Sequence, residues 1–173
     1  EGKKTLGYEI AEQLGWRLPD VIVYETGGGT GLIGMWKAFN ELKLLGKVSG
    51  KLPRMVAAQS TGCAPVVKAF QQRENKTEFW ENSETVALGL NVPGPIGGYW
   101  ILRILYESNG IAVDVPESDL QNLTDEFNSI TRINAGPEAG VVWGAFQKLR
   151  NVGWIDNSQS VVLFATGIER CKL

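Results

Sequence analysis

The sequence predicts an α/β fold: a mainly parallel sheet covered by helices on both faces, in three layers. Three observations lead there. Segments with helical spacing alternate with short strand-like segments along the chain. Most strand-like segments are continuous apolar runs rather than alternating ones, as in strands buried on both faces. The first strand passes through a glycine-rich loop into a helix, and parallel sheets bind ligands at that carboxyl edge.

In chain order, Leu6, Ile10, Ala11 and Leu14 share one stripe and predict a helix over Thr5 to Leu14. Pro19 and Asp20 break it, and Val21 to Tyr24 reads as a buried strand. Thr26 to Gly31 is too rich in glycine to continue a strand or to lie within a helix. The spacing of Leu32, Met35, Trp36, Phe39, Leu42 and Leu45 is helical again. A second strand is expected at Met55 to Ala58, then a helix from Ala64 to Phe70 and a polar surface excursion from Gln71 to Asn82. Gly94 to Gly98 leads into a helix over Tyr99 to Glu107, and Ile111 to Val115 is the third strand. Ser118 and Asp119 offer an N-cap for a helix through Ile130. A last helix over Glu138 to Arg150 precedes a strand from Val161 to Ala165.

Composition narrows the function classes. The 173 residues suffice for one ordinary domain, and 43% hydrophobic with 21% charged residues is a globular balance. A net charge of −2 with interleaved signs gives no basic footprint for nucleic acid. No apolar run reaches membrane-spanning length, and none follows the N-terminal lysines as a signal peptide requires. Cys63 and Cys171, far apart, read as reduced thiols in a cytoplasmic protein. With no histidine, Ser-His-Asp and Cys-His nucleophiles are excluded and no metal site is expected. Reactive chemistry must come from a cofactor or from carboxylate, lysine or hydroxyl groups.

The strongest local signal is Val21-Ile22-Val23-Tyr24-Glu25-Thr26-Gly27-Gly28-Gly29-Thr30-Gly31 followed by a helix. The amides of Gly28, Gly29, Thr30 and Gly31 are expected to point outward at the helix start, where the dipole also favours an anion. The hydroxyls of Thr26 and Thr30 could add hydrogen bonds. The run lacks the Gly-Lys-Ser/Thr of a nucleotide P-loop. Gly29, Gly31 and Gly34 do satisfy dinucleotide spacing, but Gly46 to Ser60 holds no acidic partner for a ribose. A ligand with a single phosphate, such as pyridoxal phosphate, is favoured.

Gly2 to Trp16, Leu18-Pro19-Asp20, Thr26 to Phe39, Leu52 to Met55, Gln59-Ser60-x-Gly62-Cys63-Ala64-Pro65 and Ile101-Leu102-Arg103 together resemble threonine synthases. The resemblance is collinear over nearly the whole chain but covers only the C-terminal half of such an enzyme. It implies the pyridoxal-phosphate fold shared with tryptophan synthase β and the serine/threonine dehydratases. It also implies, for the parent enzyme, conversion of O-phosphohomoserine and water to threonine and phosphate. By the resemblance, Gly27, Gly28, Gly29, Thr30 and Gly31 grip the cofactor phosphate, Thr166 turns its hydroxyl to the pyridine nitrogen, and Glu138 lies near the cofactor's edge.

The family's cofactor-binding lysine lies far upstream of the loop, after an aromatic residue, and has no counterpart here; Lys37 follows Trp36 but lies beyond the loop. The 173 residues are therefore expected to be one α/β domain of a larger lyase, inactive alone. Three departures stand out: Glu25 where the family has proline, Ala139-Gly140 inverted after Glu138, and Ile168-Glu169-Arg170-Cys171 in place of a serine- or glycine-rich continuation. Cysteate synthase-like or dehydratase-like chemistry and a non-catalytic phosphate-binding domain are the alternatives. Self-association into a homo-oligomer is also expected, because a missing half would leave apolar surface exposed.

Overall fold

A computed structural model describes residues 1–168, which form four parallel strands and six α-helices. In order these are α1 (Lys4–Gln13), β1 (Val21–Glu25), α2 (Thr30–Leu44), β2 (Arg54–Ser60), α3 (Pro65–Gln71), α4 (Gly98–Glu107), β3 (Ile111–Val115), α5 (Leu120–Thr131), α6 (Pro137–Asn151) and β4 (Val161–Leu163). The sheet order is β3-β2-β1-β4. The expected fold class is thus the observed one.

Side-chain alternation along the strands divides the core between two faces. Ile22, Tyr24, Met55, Ala57 and Ala112 face a layer built from α1 to α4, with Leu32, Met35, Phe39, Ile101 and Leu105 buried in it. Val21, Val23, Val56, Ala58, Val113 and Val115 face α5 and α6 through Leu120, Val141, Val142, Ala145 and Leu149. Every residue of β1 is buried, which explains why Val21 to Tyr24 reads as an unbroken apolar run.

Two local expectations are corrected. The strand expected over Val161 to Ala165 ends at Leu163; Phe164 still donates its amide to the Val23 carbonyl at 3.2 Å, and the backbone then leaves the ladder. Ser118 and Asp119 provide no side-chain cap, because they lie in a 3₁₀ turn where the Ser118 hydroxyl bonds the Asp119 carboxylate instead. Cys63 is buried and unpaired among the described residues, whereas Cys171 lies outside them. No helix among the described residues is long and apolar enough to cross a membrane.

Candidate functional site

From β1 the chain moves outward to β2 and β3, then returns to place β4 on the other side of β1. The strand order reverses between β1 and β4, and a crevice opens at such a point beyond the strand carboxyl ends. A cavity of about 380 Å³ lies there, lined by Tyr24, Glu25, Gly27 to Thr30, Gly89, Leu90, Glu138 and Thr166 to Ile168. Wider grooves of about 740 and 760 Å³ run beside β3 and α1, but neither is lined by Gly28 or Gly29.

The loop glycines differ in what they do. Gly29 adopts the left-handed region at φ 77°, and a β-carbon there would collide with Ile101. At Gly31 it would strike the Tyr24 hydroxyl, and at Gly27 it would lie 2.9 Å from the Gly89 carbonyl oxygen. A β-carbon on Gly28 would meet nothing within 4 Å. Packing therefore requires Gly27, Gly29 and Gly31, while Gly28 borders open space. Among the described residues, the amides of Gly28, Gly29, Thr30 and Gly31 have no hydrogen-bond acceptor. They stand at the start of α2, fifteen residues long, whose dipole adds partial positive charge at that end.

Gln59, wholly buried on β2, fixes the root of this loop. Its Nε2 donates to the Thr26 carbonyl at 2.9 Å, and its Oε1 accepts the amides of Val66 and Val67 at 2.9 and 3.1 Å. Thr26 is equally buried, and its hydroxyl donates to the Tyr24 carbonyl at 2.9 Å. The hydrogen bond expected from Thr26 to an anion is thus corrected: that hydroxyl is spent inside the turn.

Glu25 is 3% exposed, and its Oε1 accepts the Thr166 amide at 2.9 Å, while its Oε2 has no partner. Burial pushes its carboxyl above the ordinary range; the Thr166 hydroxyl and backbone amides oppose that rise, and the Glu138 charge adds to it. Burial likewise pushes the Tyr24 phenol up to about 12, with the Glu25 charge adding to the effect. Glu138 accepts the Gly89 amide at 2.9 Å and so ties α6 to the cavity wall. A folded-state carboxyl raised in this way loses stability as pH climbs from about 4.5 through its folded value, because the folded chain holds the extra proton. Glu25→Gln is therefore expected to raise the melting temperature at neutral pH, with the gain vanishing below about pH 4.5 in a thermal-melt pH series.

Residues 1–167 match the family model described as pyridoxal-phosphate dependent enzyme. The chain belongs to this family. Among curated relatives, the threonine synthase of Methanosarcina acetivorans is 32% identical over 167 residues, 96% of this chain and 41% of that protein. The threonine synthase of Methanocaldococcus jannaschii is 29% identical over the same shares. The chain thus spans about two fifths of the length of these relatives. In fold it is similar to an L-serine ammonia-lyase from Rhizomucor miehei, with TM-score 0.78 at 19% identity, covering 97% of this chain and 51% of that one. It is also similar to threonine synthase from Escherichia coli, with TM-score 0.70 at 16% identity, covering 95% and 36%.

Within this pyridoxal-phosphate family member, Gly27, Gly28, Gly29, Thr30 and Thr166 line one cavity, and Glu138 joins them. Gly31 does not line it; its place is against Tyr24. Among the described residues, the lining contains no lysine or arginine. Lys37 projects from α2 to pair with Glu1, and Arg103 pairs with Glu107 at 2.6 Å. Sequence reasoning missed Gln59, whose signal was an amide side chain directly after the apolar run Met55 to Ala58. It also treated Glu25 only as a departure, although a carboxyl directly after a buried apolar run already marks a buried charge problem.

Proposed function

We propose that the loop holds the phosphate of pyridoxal phosphate on the amides of Gly28, Gly29, Thr30 and Gly31, with Thr166 facing the cofactor's ring nitrogen. On this reading the chain is the cofactor-phosphate portion of a threonine synthase-like lyase. The open space over Gly28, beside amides that have no acceptor among the described residues, carries the reading: a methyl group would fill that cradle, yet no described residue occupies it. Fixed N–H dipoles suit a phosphate without a cation, so a lining without lysine or arginine among its described residues is compatible with a dianion.

When bound, the cofactor supplies an electron-withdrawing ring that takes up negative charge from a substrate carbon. The residues of this chain bind and orient. The loop amides fix the phosphate, Gln59 keeps the loop root in place, and the Thr166 amide is held by Glu25. Among the described residues of the cavity lining there is no amine to bond the cofactor's aldehyde or take a substrate proton.

We infer that the isolated 173 residues bind the cofactor without covalent attachment and do not turn over O-phosphohomoserine. Mixing the purified chain with pyridoxal phosphate is expected to give saturable, phosphate-competed binding and no absorbance band lost on borohydride treatment. Such a band would overturn the inactivity, and the absence of any binding would overturn the loop assignment. A cysteate synthase-like activity is a second reading, supported by the cysteate synthase of Methanosarcina barkeri at 24% identity over 96% of this chain.

A further inference from the structure

β3 is an edge of the sheet: β2 pairs with one side of it, and no described strand pairs with the other. The Val115 carbonyl faces the β2 side, where it accepts the Thr61 amide at 2.9 Å. Backbone groups alternate in direction along a strand, so Ile111 and Val113 also face β2, while the amides and carbonyls of Ala112 and Asp114 face outward. The Lys148 ammonium agrees with this, reaching the Asp114 carbonyl at 3.2 Å from the open side. The groove of about 740 Å³ runs along this edge, with walls from both helical layers. Phe70 and Tyr106 of α3 and α4 stand on one face, and Leu149 of α6 with Val152 just after it on the other. A smaller groove of about 310 Å³ continues it past Asp114, Lys148 and Val152. Val152 is 73% exposed and Tyr106 38%, so apolar surface flanks an unpaired ladder, which sheet edges ordinarily avoid. β4, the opposite edge, is only three residues long and offers a much shorter ladder.

We propose that β3 pairs antiparallel with β3 of a second copy of this chain, about a two-fold axis at Val113, joining two four-stranded sheets into one. The edge is complementary to itself in this register. Ala112 of each copy lies opposite Asp114 of the other, and each such pair exchanges two hydrogen bonds, so every outward group of β3 gains a partner. A slip of two residues either way fails. It sets Asp114 opposite Gly110, whose amide already donates to the Leu105 carbonyl at 2.8 Å, or Ala112 opposite Pro116, which has no amide to give. An axis normal to the sheet brings like layers together, so Val152 and Tyr106 of both copies leave water. Charge does not oppose the union, because Asp114 and Lys148 pair within each copy at 3.1 Å. The Asp114 carbonyl has a second lone pair and accepts the new amide beside the ammonium. The contact is isologous and closes at two copies.

Sedimentation velocity of the full 173-residue chain over a concentration series, with amide hydrogen exchange followed along β3, tests the pairing. A monomer–dimer equilibrium with a dissociation constant in the micromolar range or below is expected, with protection of the Ala112 and Asp114 amides rising as dimer forms. Val152→Glu brings like charges together across the axis and is expected to weaken the dimer about tenfold or more, with an unchanged circular dichroism spectrum. Asp114→Pro removes an outward amide that β2 does not use and is expected to abolish the dimer; Val152→Glu carries the test should the proline disturb the fold. A chain that stays monomeric throughout the series overturns the proposal. So does a dimer that both folded variants leave intact, a dimer whose Ala112 and Asp114 amides exchange as in the monomer, or growth into larger assemblies.

Discussion

Gly28→Ala is expected to weaken pyridoxal phosphate binding about 10- to 100-fold while leaving the melting temperature nearly unchanged. Hydrogen bonds to charged groups are worth about 1.5–3 kcal/mol each, and a methyl group in the cradle displaces the phosphate from at least one of them. The fold tolerates the change because a β-carbon at Gly28 meets nothing within 4 Å. The neighbouring positions give the contrast that makes the result specific. At Gly29 the left-handed backbone and Ile101 both oppose a side chain, and at Gly31 the Tyr24 hydroxyl does, so alanine there should lower stability. Titration calorimetry and thermal melts on the three variants would separate a ligand site from a tight turn. Equal binding by Gly28→Ala and wild type would remove the cradle from the account.

Gln59→Leu is expected to cost about 3–5 kcal/mol of stability, a fall of roughly 10–20 °C in melting temperature. Leucine fits the volume but leaves the Thr26 carbonyl and the amides of Val66 and Val67 without their partner in a buried setting. Because Thr26 is the residue from which the glycine loop departs, the surviving folded protein should also bind the cofactor more weakly. Loss of stability with unaltered affinity would mean that the loop keeps its shape without that anchor. Denaturant unfolding and cofactor titration on the same preparation distinguish the two outcomes.

The parallel strands and their helices were legible because the forces that make them leave a trace in residue order. Strands covered on both faces favour continuous apolar runs, and Val21 to Tyr24 of β1 and Met55 to Ala58 of β2 follow that rule. The glycine loop was legible for a similar reason, since few residues other than glycine fit its turns. Less legible were properties set by partners distant in the chain. That Thr26 turns its hydroxyl inward depends on a carbonyl two residues back in a buried strand. The early end of β4 depends on Glu25, whose side chain receives the amide that would otherwise extend the ladder. The division of labour among the glycines was hidden too, because only the surroundings separate Gly28 from Gly29 and Gly31.

The two walls of the cavity lie side by side in space, yet the residues joined across them, Glu25 and Thr166, are 141 positions apart. Contacts of such long range carry the entropic cost of closing the loop between them. On the proposed function, ligand capture at this crevice therefore needs both walls in place. A chain released before β4 docks would present its glycine turn with one side missing, and could hold a phosphate only loosely.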